Sequence, residues 1–273
     1  MMANFFMGLF SYSFIVRALV SGIMISLCAA LLGIVLVLKR YSMIGDGLSH
    51  VGFGTMAIAM ALNLAPLAVS IPVCIAAAFL LLRVSSSSNV KGDALVALIS
   101  SSALAIGILV TSLSSGLNTD VTAFLFGSIL AITKTDMIIS IILGVVVITL
   151  FVIFYNRIFI VTFDESFANA GGISVSSYNA LISILTALTV VIGMRLMGAM
   201  MISSLVVFPA LSAMRVFMSF KKATVCAAVL SVVCFVLGMS VSFAFSAPAG
   251  ASIVCTNLAA FLVCLVIEKV RKI

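Results

Sequence analysis

Long apolar runs repeat along the whole chain, and they constrain the fold more than any other feature. A helix needs roughly 20 apolar residues to cross a bilayer, and 64% of the 273 residues are hydrophobic while only 8% are charged. The sequence therefore predicts an all-α, multi-pass membrane protein with about nine transmembrane helices, eight being possible, in a single domain over residues 1–273. The runs fall near residues 14–38, 44–62, 66–82, 94–113, 137–155, 178–194, 196–215, 223–245 and 249–267.

Basic residues predict the orientation of the chain in the membrane. Because loops rich in Lys and Arg stay in the cytoplasm, the C-terminus is predicted to be cytoplasmic and the N-terminus outside, as an odd number of spans requires. The net charge of +7 thus reports topology, and no nucleic-acid partner is expected. The basic residues that follow every second run are Lys39, Arg40, Arg83, Lys91, Arg157, Arg215, Lys221, Lys222, Lys269, Arg271 and Lys272.

The second run contains the pair of residues that carries the main functional hypothesis. Asp46 and His50, the single histidine of the chain, stand four residues apart, so on a helix they share one face with Gly54, which is expected to leave space beside the imidazole. Ionisable side chains at membrane depth usually face protein or a water-filled path. Carboxylate and imidazole suit zinc or manganese, but two ligands do not complete a site. A symmetric dimer would supply four ligands. A carboxylate that only stabilises a helix N-terminus is the alternative.

Other residues are secondary candidates for the ion path. Asp120 and Asp136 lie in the predicted outer loop, where a re-entrant or interfacial helix is expected near 121–132. Each could contact the ion on its way in or be a solvated loop charge. Pro209 should break or kink the seventh run and could free carbonyl groups beside a cavity. Four methionines could bind a soft ion or pack as apolar side chains, namely Met194, Met197, Met200 and Met201.

The loop at 156–177 predicts a short cytoplasmic helix. Thr162 is followed three residues later by Glu165, which is the spacing of a capping box, and Gly171 with Gly172 supplies a stop. An interfacial helix that merely links two spans would show the same pattern.

The chain has no Walker-type nucleotide-binding loop in its sequence. GMRLMG at 193–198 has two suitably spaced glycines, but Ala199 and Met200 follow it where a lysine and a hydroxyl residue are needed. The chain is therefore not expected to be an ATP-hydrolysing enzyme. An ion-coupled secondary transporter remains an alternative, although no internal repeat is evident. Ser49 and His50 would point in different directions on a helix, which argues against an intramembrane hydrolase.

Four stretches resemble the permease subunits of the ABC importers for zinc, manganese and iron (the ABC-3 family), and within it the ZnuB-type zinc permeases. Many manganese permeases read GDAxSHAVLPG at the second run, and that proline is missing here. One stretch also contains a G-x-x-x-x-S-x-L-x-x-x-P-A element from Gly198 to Ala210. The stretches are LKRYSMIGDGLSHVGFGTMAIA (38–59), FGSILAITKTDM (126–137), FDESFANAGGI (163–173) and MGAMMISSLVVFPALSAMRV (197–216).

The resemblance implies a homodimeric permease in the bacterial plasma membrane that imports zinc, or alternatively manganese, and holds no permanent cofactor. It implies two further partners, an ABC ATPase subunit that uses ATP and an extracytoplasmic metal-binding protein. Asp46 and His50 would handle the metal, and Pro209 would contribute a gating kink. The segment FDESFANAGGI would be the coupling helix that docks on the ATPase, with these matching residues: Phe163, Asp164, Glu165, Ala168, Gly171 and Gly172.

Overall fold

The computed structural model describes residues 13–87, 92–114, 127 and 132–271. The regular secondary structure of these residues is entirely α-helical. The helices form one bundle with a continuous apolar core. In chain order they are α1 (Ser13–Leu38), α2 (Ile44–Ala61), α3 (Pro66–Ser87), α4 (Gly92–Leu113), α5 (Lys134–Ile153), α6 (Tyr155–Phe163), α7 (Glu165–Ala170), α8 (Val175–Met197), α9 (Ala199–Val216), α10 (Phe220–Phe245) and α11 (Ala249–Arg271).

The lengths and hydropathies of the helices agree with a multi-pass membrane protein. Among the described residues, seven helices are long and apolar enough to cross a membrane, namely α1, α4, α5, α8, α9, α10 and α11. Within α3, the segment Pro66–Leu81 is a shorter apolar helix, and α2 carries both Asp46 and His50. The predicted all-helical architecture is confirmed, whereas the number of nine spans and the sidedness of the termini stay predictions.

The helices α1 and α8 lie at the centre of the bundle. In their most apolar windows, 78% of α1 and 72% of α8 is buried inside the protein, against 11% of α4. Helix α1 packs against α5, α9 and α10, while α2 packs against α3, α4, α8 and α9. Helix α2 is therefore surrounded on most sides by the described helices, and the face that holds the partly exposed Asp46 and His50 is its uncovered stripe.

Glycines bring pairs of helices into backbone contact around α2. A Cβ atom at Gly54 would lie 2.5 Å from the carbonyl oxygen of Ala103 on α4. The expectation that Gly54 leaves space beside His50 is therefore wrong, because α4 fills that space. At Gly33 on α1, a Cβ atom would lie 2.0 Å from the carbonyl oxygen of Val206 on α9. Such small residues allow close helix packing in membranes.

Helices α2 and α9 run antiparallel at the end where α2 begins. A Cβ at Gly45 would lie 3.6 Å from a methyl of Val206, and the hydroxyl of Ser203 donates a hydrogen bond to Asp46. Along α2 these contacts advance from Gly45 to Asp46, whereas along α9 they go back from Val206 to Ser203. This packing places the polar start of α2 against the middle of α9.

Pro209 lies inside α9 and does not break it, since α9 continues from Ala199 to Val216. A break, one of the two predicted outcomes, is therefore not observed, and the kink stays a prediction. Proline has no backbone N–H, so the carbonyl of Leu205 lacks its usual helical donor. That carbonyl is one turn before Pro209, in a buried part of the helix.

The junction between α8 and α9 is a single residue, Gly198, with φ of 92° and ψ of 154°. This region of backbone space is readily accessible only to glycine. A Cβ at Gly127 would lie 2.2 Å from the carbonyl carbon of Met197, so residue 127 packs on the junction. Apart from Gly127 and Ile132, the predicted loop helix near 121–132 lies outside the described residues, as does Asp120.

Candidate metal-handling site and coupling segment

Asp46 and His50 lie together on the uncovered stripe of α2. Nε2 of His50 is 3.6 Å from Oδ2 of Asp46, and the two side chains are 16% and 40% exposed, respectively. This separation is longer than a hydrogen bond. Two ligand atoms on one tetrahedral zinc ion are about 3.3 Å apart, given metal–ligand distances of about 2.0–2.1 Å. The pair is thus close to the spacing at which both atoms can bind one ion.

The other carboxylate oxygen of Asp46 is contacted from α9. The hydroxyl of Ser203 lies 3.3 Å from Oδ1 of Asp46 and 3.1 Å from the carbonyl oxygen of Ala199. A hydroxyl has one proton to donate, so Ser203 satisfies the carboxylate only in part. Sequence reasoning gave Ser203 no role, although it is the serine of the G-x-x-x-x-S element, and only that element could have pointed to it.

The two ring nitrogens of His50 differ in their surroundings. Nδ1 is buried, and the structure gives it no hydrogen-bond partner among the described residues. Nε2 is the nitrogen that approaches Asp46. A neutral imidazole offers one donor and one acceptor nitrogen, and Nε2 is the one placed to act as an acceptor or metal ligand.

The described part of this chain offers no third His, Cys, Asp or Glu ligand at this pair. No group of three or more His, Cys, Asp or Glu side chains in it comes together closely enough to hold a metal ion. A structural or catalytic zinc site in proteins uses at least three protein ligands. A further ligand of these four types for an ion bound between Asp46 and His50 must therefore come from beyond the described residues.

The methionine cluster divides into buried and exposed members. Met194, Met197 and Met201 are at most 1% exposed and belong to the core, where Met194 covers Gly52 on the packed side of α2. Met200 is 53% exposed. It precedes Ser203 by three residues and so lies on the same face of α9.

Asp136 is occupied by contacts that hold the start of α5. Its Oδ2 accepts hydrogen bonds from the hydroxyl of Thr133 at 2.7 Å and from the Thr133 N–H at 3.1 Å. Its own N–H donates to the Thr133 hydroxyl, which completes a capping box. Oδ1 lies 3.5 Å from the guanidinium of Arg195 at the end of α8. Both oxygens of Asp136 therefore have partners within this chain.

The predicted loop 156–177 is occupied by α6, which begins at Tyr155, and by the six-residue α7 of the predicted coupling segment, and one extended residue, Asp164, joins the two helices. Asp164 caps α7, because its Oδ1 accepts a hydrogen bond of 2.9 Å from the N–H of Phe167. The predicted capping box from Thr162 to Glu165 is wrong. Thr162 lies inside α6, where its hydroxyl donates to the carbonyl of Ile158 at 2.6 Å.

The predicted stop of α7 at the two glycines is confirmed. Gly171 is the C-cap residue and Gly172 has φ of 75°. The N–H groups of Gly172 and Ile173 donate to the carbonyls of Asn169 and Ala168, respectively. These two bonds form a Schellman motif, in which the residue with positive φ is usually glycine.

Glu165, the first residue of α7, is tied to two other helices. Nζ of Lys39, just after α1, donates to its Oε1 at 2.7 Å, and Nδ2 of Asn179 on α8 donates to the same oxygen at 3.2 Å. Burial raises the pKa of the Glu165 carboxyl, but the hydrogen bonds from Lys39 and Asn179 and the charge of Lys39 outweigh it. The pKa is therefore lower than that of an ordinary glutamate.

The opposite side of this segment presents aromatic rings. Phe163 and Phe167 are 58% and 66% exposed, whereas Ala168 is fully buried. The ring of Phe163 packs 4.9 Å from that of Phe159 and 6.0 Å from that of Phe220 at the start of α10. An exposed aromatic surface on a supported helix is typical of a protein–protein contact.

Comparison with known proteins gives the chain its family. The model of the ABC 3 transport family matches residues 11–268. The manganese import system permease protein ScaB of Streptococcus gordonii is 31% identical over 263 residues, covering 96% of this chain and 94% of that protein. The high-affinity zinc uptake system membrane protein ZnuB of Haemophilus influenzae is 28% identical over 248 residues, covering 91% and 95%.

A solved structure agrees with these relatives. The chain superimposes on PsaBC from Streptococcus pneumoniae in complex with Fab with a TM-score of 0.85 and 31% identity, covering 97% of this chain and 95% of that chain. Sequence and fold thus match along almost the full length. This protein belongs to the ABC 3 transport family.

Proposed function

We propose that this chain is the membrane-spanning permease subunit of an ATP-driven importer for a divalent transition metal, with zinc as the transported ion. The observation that carries the proposal is the Asp46–His50 pair, spaced at 3.6 Å on the uncovered stripe of α2. The relatives named for manganese import and zinc uptake support the class of cargo. The importer is expected in the bacterial plasma membrane.

A homodimer would complete the metal site. One chain supplies one carboxylate and one imidazole, and both lie on the stripe of α2 that its own bundle leaves uncovered. A second copy with its α2 facing this one would add an equal pair. Two carboxylates and two imidazoles form a four-ligand set that suits tetrahedral zinc.

Manganese is the second candidate for the cargo. The ScaB protein, named for manganese import, is 31% identical to this chain, whereas the ZnuB protein is 28% identical. Overall likeness therefore does not favour zinc, and the missing proline after GDGLSH is a local argument only. Carboxylate and water ligands suit manganese.

A separate ATPase would dock on the aromatic surface of α6 and α7. Phe163 and Phe167 are the exposed apolar side chains of that surface. The sequence also marked Asp164 and Glu165 as coupling residues, and in the structure Asp164 caps α7 while Glu165 faces Lys39. The carboxylates would hold the helix in shape while the rings make the contact.

The proposed transport cycle uses Asp46 and His50 as transient ligands. An extracytoplasmic binding protein would deliver an ion to an outward-open path, where the carboxylate and imidazole replace part of its hydration. Closing of the ATPase dimer would then move α7 and reorient the spans. A pair without a full ligand set within one chain suits transport, because binding must be weak enough for release.

The single histidine allows a direct test of metal binding. Only His50 would give imidazole signals if the permease alone is labelled with ¹⁵N-histidine and assembled with unlabelled ATPase. In solid-state NMR of the membrane-embedded complex, we expect zinc to shift these signals saturably and manganese to broaden them. Magnesium, which prefers oxygen ligands, is the matched control. Zinc that leaves the signals unchanged in a complex competent for import would contradict the proposal.

The choice between zinc and manganese needs a transport measurement. Uptake of each ion by vesicles that contain the permease, its ATPase and its binding protein gives two rates at equal free ion concentration. Faster zinc uptake, inhibited little by excess manganese, is expected. The reverse order of rates would assign the chain to manganese and leave the role of Asp46 and His50 intact.

A further inference from the structure

We propose that Lys39 is a positioning residue that links the ATPase-docking helix α7 to the start of α2 and thereby sets the position of Asp46 and His50. The inference rests on the proposed function, since it assigns the route by which movement of α7 reaches the metal-handling pair. Three observations support the inference: the contacts of Lys39, the burial of its side chain and the turn in which Lys39 lies.

Lys39 joins three elements at one point. Its Nζ donates to Oε1 of Glu165 on α7 and to Oδ1 of Asn179 on α8, each at 2.7 Å. Nδ2 of Asn179 donates to Oε1 of Glu165 at 3.2 Å, which closes a triangle of hydrogen bonds. Any displacement of α7 along the membrane surface must carry the ammonium and amide groups with it or break the two hydrogen bonds that Glu165 accepts.

The burial of Lys39 makes separation unfavourable. Its side chain is 7% exposed, whereas that of Glu165 is 49% exposed. An exposed ion pair contributes little, but an ammonium group left buried without its carboxylate is strongly destabilising. Separation of the pair is therefore unfavourable mainly because of Lys39, and the bond holds α7 to the end of α1.

The backbone at Lys39 is fixed in a turn that leads directly into α2. The N–H of Arg40 donates to the carbonyl of Val37 at 3.0 Å, and the N–H of Tyr41 donates to that of Leu36 at 2.8 Å. With Arg40 at φ of 63°, these bonds form a Schellman motif that ends α1.

The turn continues into the helix that carries the pair. The N–H of Ile44 donates to the carbonyl of Tyr41 at 3.1 Å, and Ile44 is the first residue of α2. Asp46 follows within the first turn of α2. The turn between Lys39 and α2 is held by backbone hydrogen bonds. A shift of Lys39 would therefore also move Asp46, the carboxylate that would hold the ion.

The test is the number of metal ions imported per ATP hydrolysed by the complete complex in vesicles. In Lys39→Met, we expect this ratio to fall about five-fold or more, the lower range of typical coupling effects, while ATPase assembly is retained. Lys269→Met removes an exposed lysine near the end of α11 and should keep the native ratio. Glu165→Gln breaks the charge pair from the exposed side and serves if Lys39→Met does not assemble.

Exchange of the two charges distinguishes positioning from a general loss of structure. The double variant Lys39→Glu with Glu165→Lys should recover most of the ratio, because the amide of Asn179 can rotate to exchange its donor and acceptor. Native coupling in Lys39→Met or, where that variant does not assemble, in Glu165→Gln would overturn the inference. Single variants that lose coupling without recovery in the exchanged pair would overturn it as well. Failure of the unmodified complex to import metal would instead overturn the proposed function.

Discussion

The Asp46–His50 pair and the Lys39–Glu165 pair use a carboxylate in opposite ways. The carboxylates are similarly exposed, 40% for Asp46 and 49% for Glu165. Glu165 nevertheless accepts two hydrogen bonds at one oxygen from groups of its own chain, whereas Asp46 stands 3.6 Å from His50 and receives one long bond from Ser203. Exposure alone therefore does not separate them, but the strength of their internal contacts does.

This difference indicates which carboxylate is available to bind a cation. A carboxylate already bonded to a buried ammonium group gains little from a new cation and stabilises the arrangement of helices. A carboxylate beside an imidazole with an available nitrogen can still bind a cation. Asp136 belongs with Glu165, since Thr133 and Arg195 occupy its oxygens. If the proposed function holds, Asp46 on α2 would bind the ion, whereas Glu165 and Asp136 would support the arrangement of helices.

The largest expected effect concerns the affinity for zinc. Asp46→Asn removes the negative charge of a proposed direct ligand and should weaken binding by about 100-fold or more, because loss of even an outer-shell partner typically costs about 10–100-fold. Asp136→Asn is the matched change at a closed site. It should leave zinc affinity unchanged and lower stability by about 1 kcal/mol through loss of the cap. Equal losses of affinity, measured by competition with a chelator, would erase the distinction between the two carboxylates.

The next largest effect concerns the stability of the protein and the packed side of α2. Gly54→Ala places a methyl group 2.5 Å from the backbone oxygen of Ala103 and should cost about 1–3 kcal/mol. Gly45→Ala places one at an ordinary 3.6 Å from Val206. This change should be neutral or stabilising by up to about 1 kcal/mol. Thermal unfolding of both variants in detergent checks the order, and a tolerated Gly54→Ala would refute the close contact.

The Lys39–Glu165 pair should make the attachment of α7 to the bundle depend on pH. Since the pKa of Glu165 is below the usual glutamate value, its contribution to stability is complete above the usual value and is lost as the pH falls through the lower, folded-state value. The protection of the α7 amides, meaning their exchange relative to the intrinsic rate at each pH, should therefore be retained until the pH is below the range where free glutamate protonates. In Lys39→Met the loss of protection should begin at higher pH. An unchanged profile would show that Lys39 does not hold α7 in place.

The smallest expected effect is at the turn between α1 and α2. Arg40 has φ of 63°, a conformation that costs a non-glycine residue about 1–2 kcal/mol. Arg40→Gly relieves this strain but loosens the unfolded chain, so stability should change by less than about 1 kcal/mol. Metal import per ATP should remain native, because the hydrogen bonds of the turn are backbone bonds. A large loss of coupling would show that the guanidinium itself takes part.

The sequence predicted those features that depend on local spacing. Residues four apart on a helix share a face, so Asp46 and His50 were predicted to lie together, and Gly171 with Gly172 was predicted to end the short helix. Local spacing also misled at Thr162. Its hydroxyl can bond back to a carbonyl one turn earlier, and Asp164, two residues later, caps α7 instead.

Contacts between distant segments could not be read from spacing. Ser203 is 157 residues from Asp46, and Lys39 is 126 residues from Glu165. The space beside Gly54 is filled by Ala103 from another helix, which no local pattern reveals. These contacts decide which carboxylate is open and which is closed, and they exist only after the bundle has assembled.

The most direct test of the central claim is ATP-driven zinc uptake by vesicles containing the permease, its ATPase and its binding protein, with native protein compared with His50→Ala. The account predicts that uptake is lost in His50→Ala while the complex assembles and Lys269→Met transports normally. Undiminished uptake in His50→Ala would contradict it and would leave Asp46 and His50 as structure at the start of a helix.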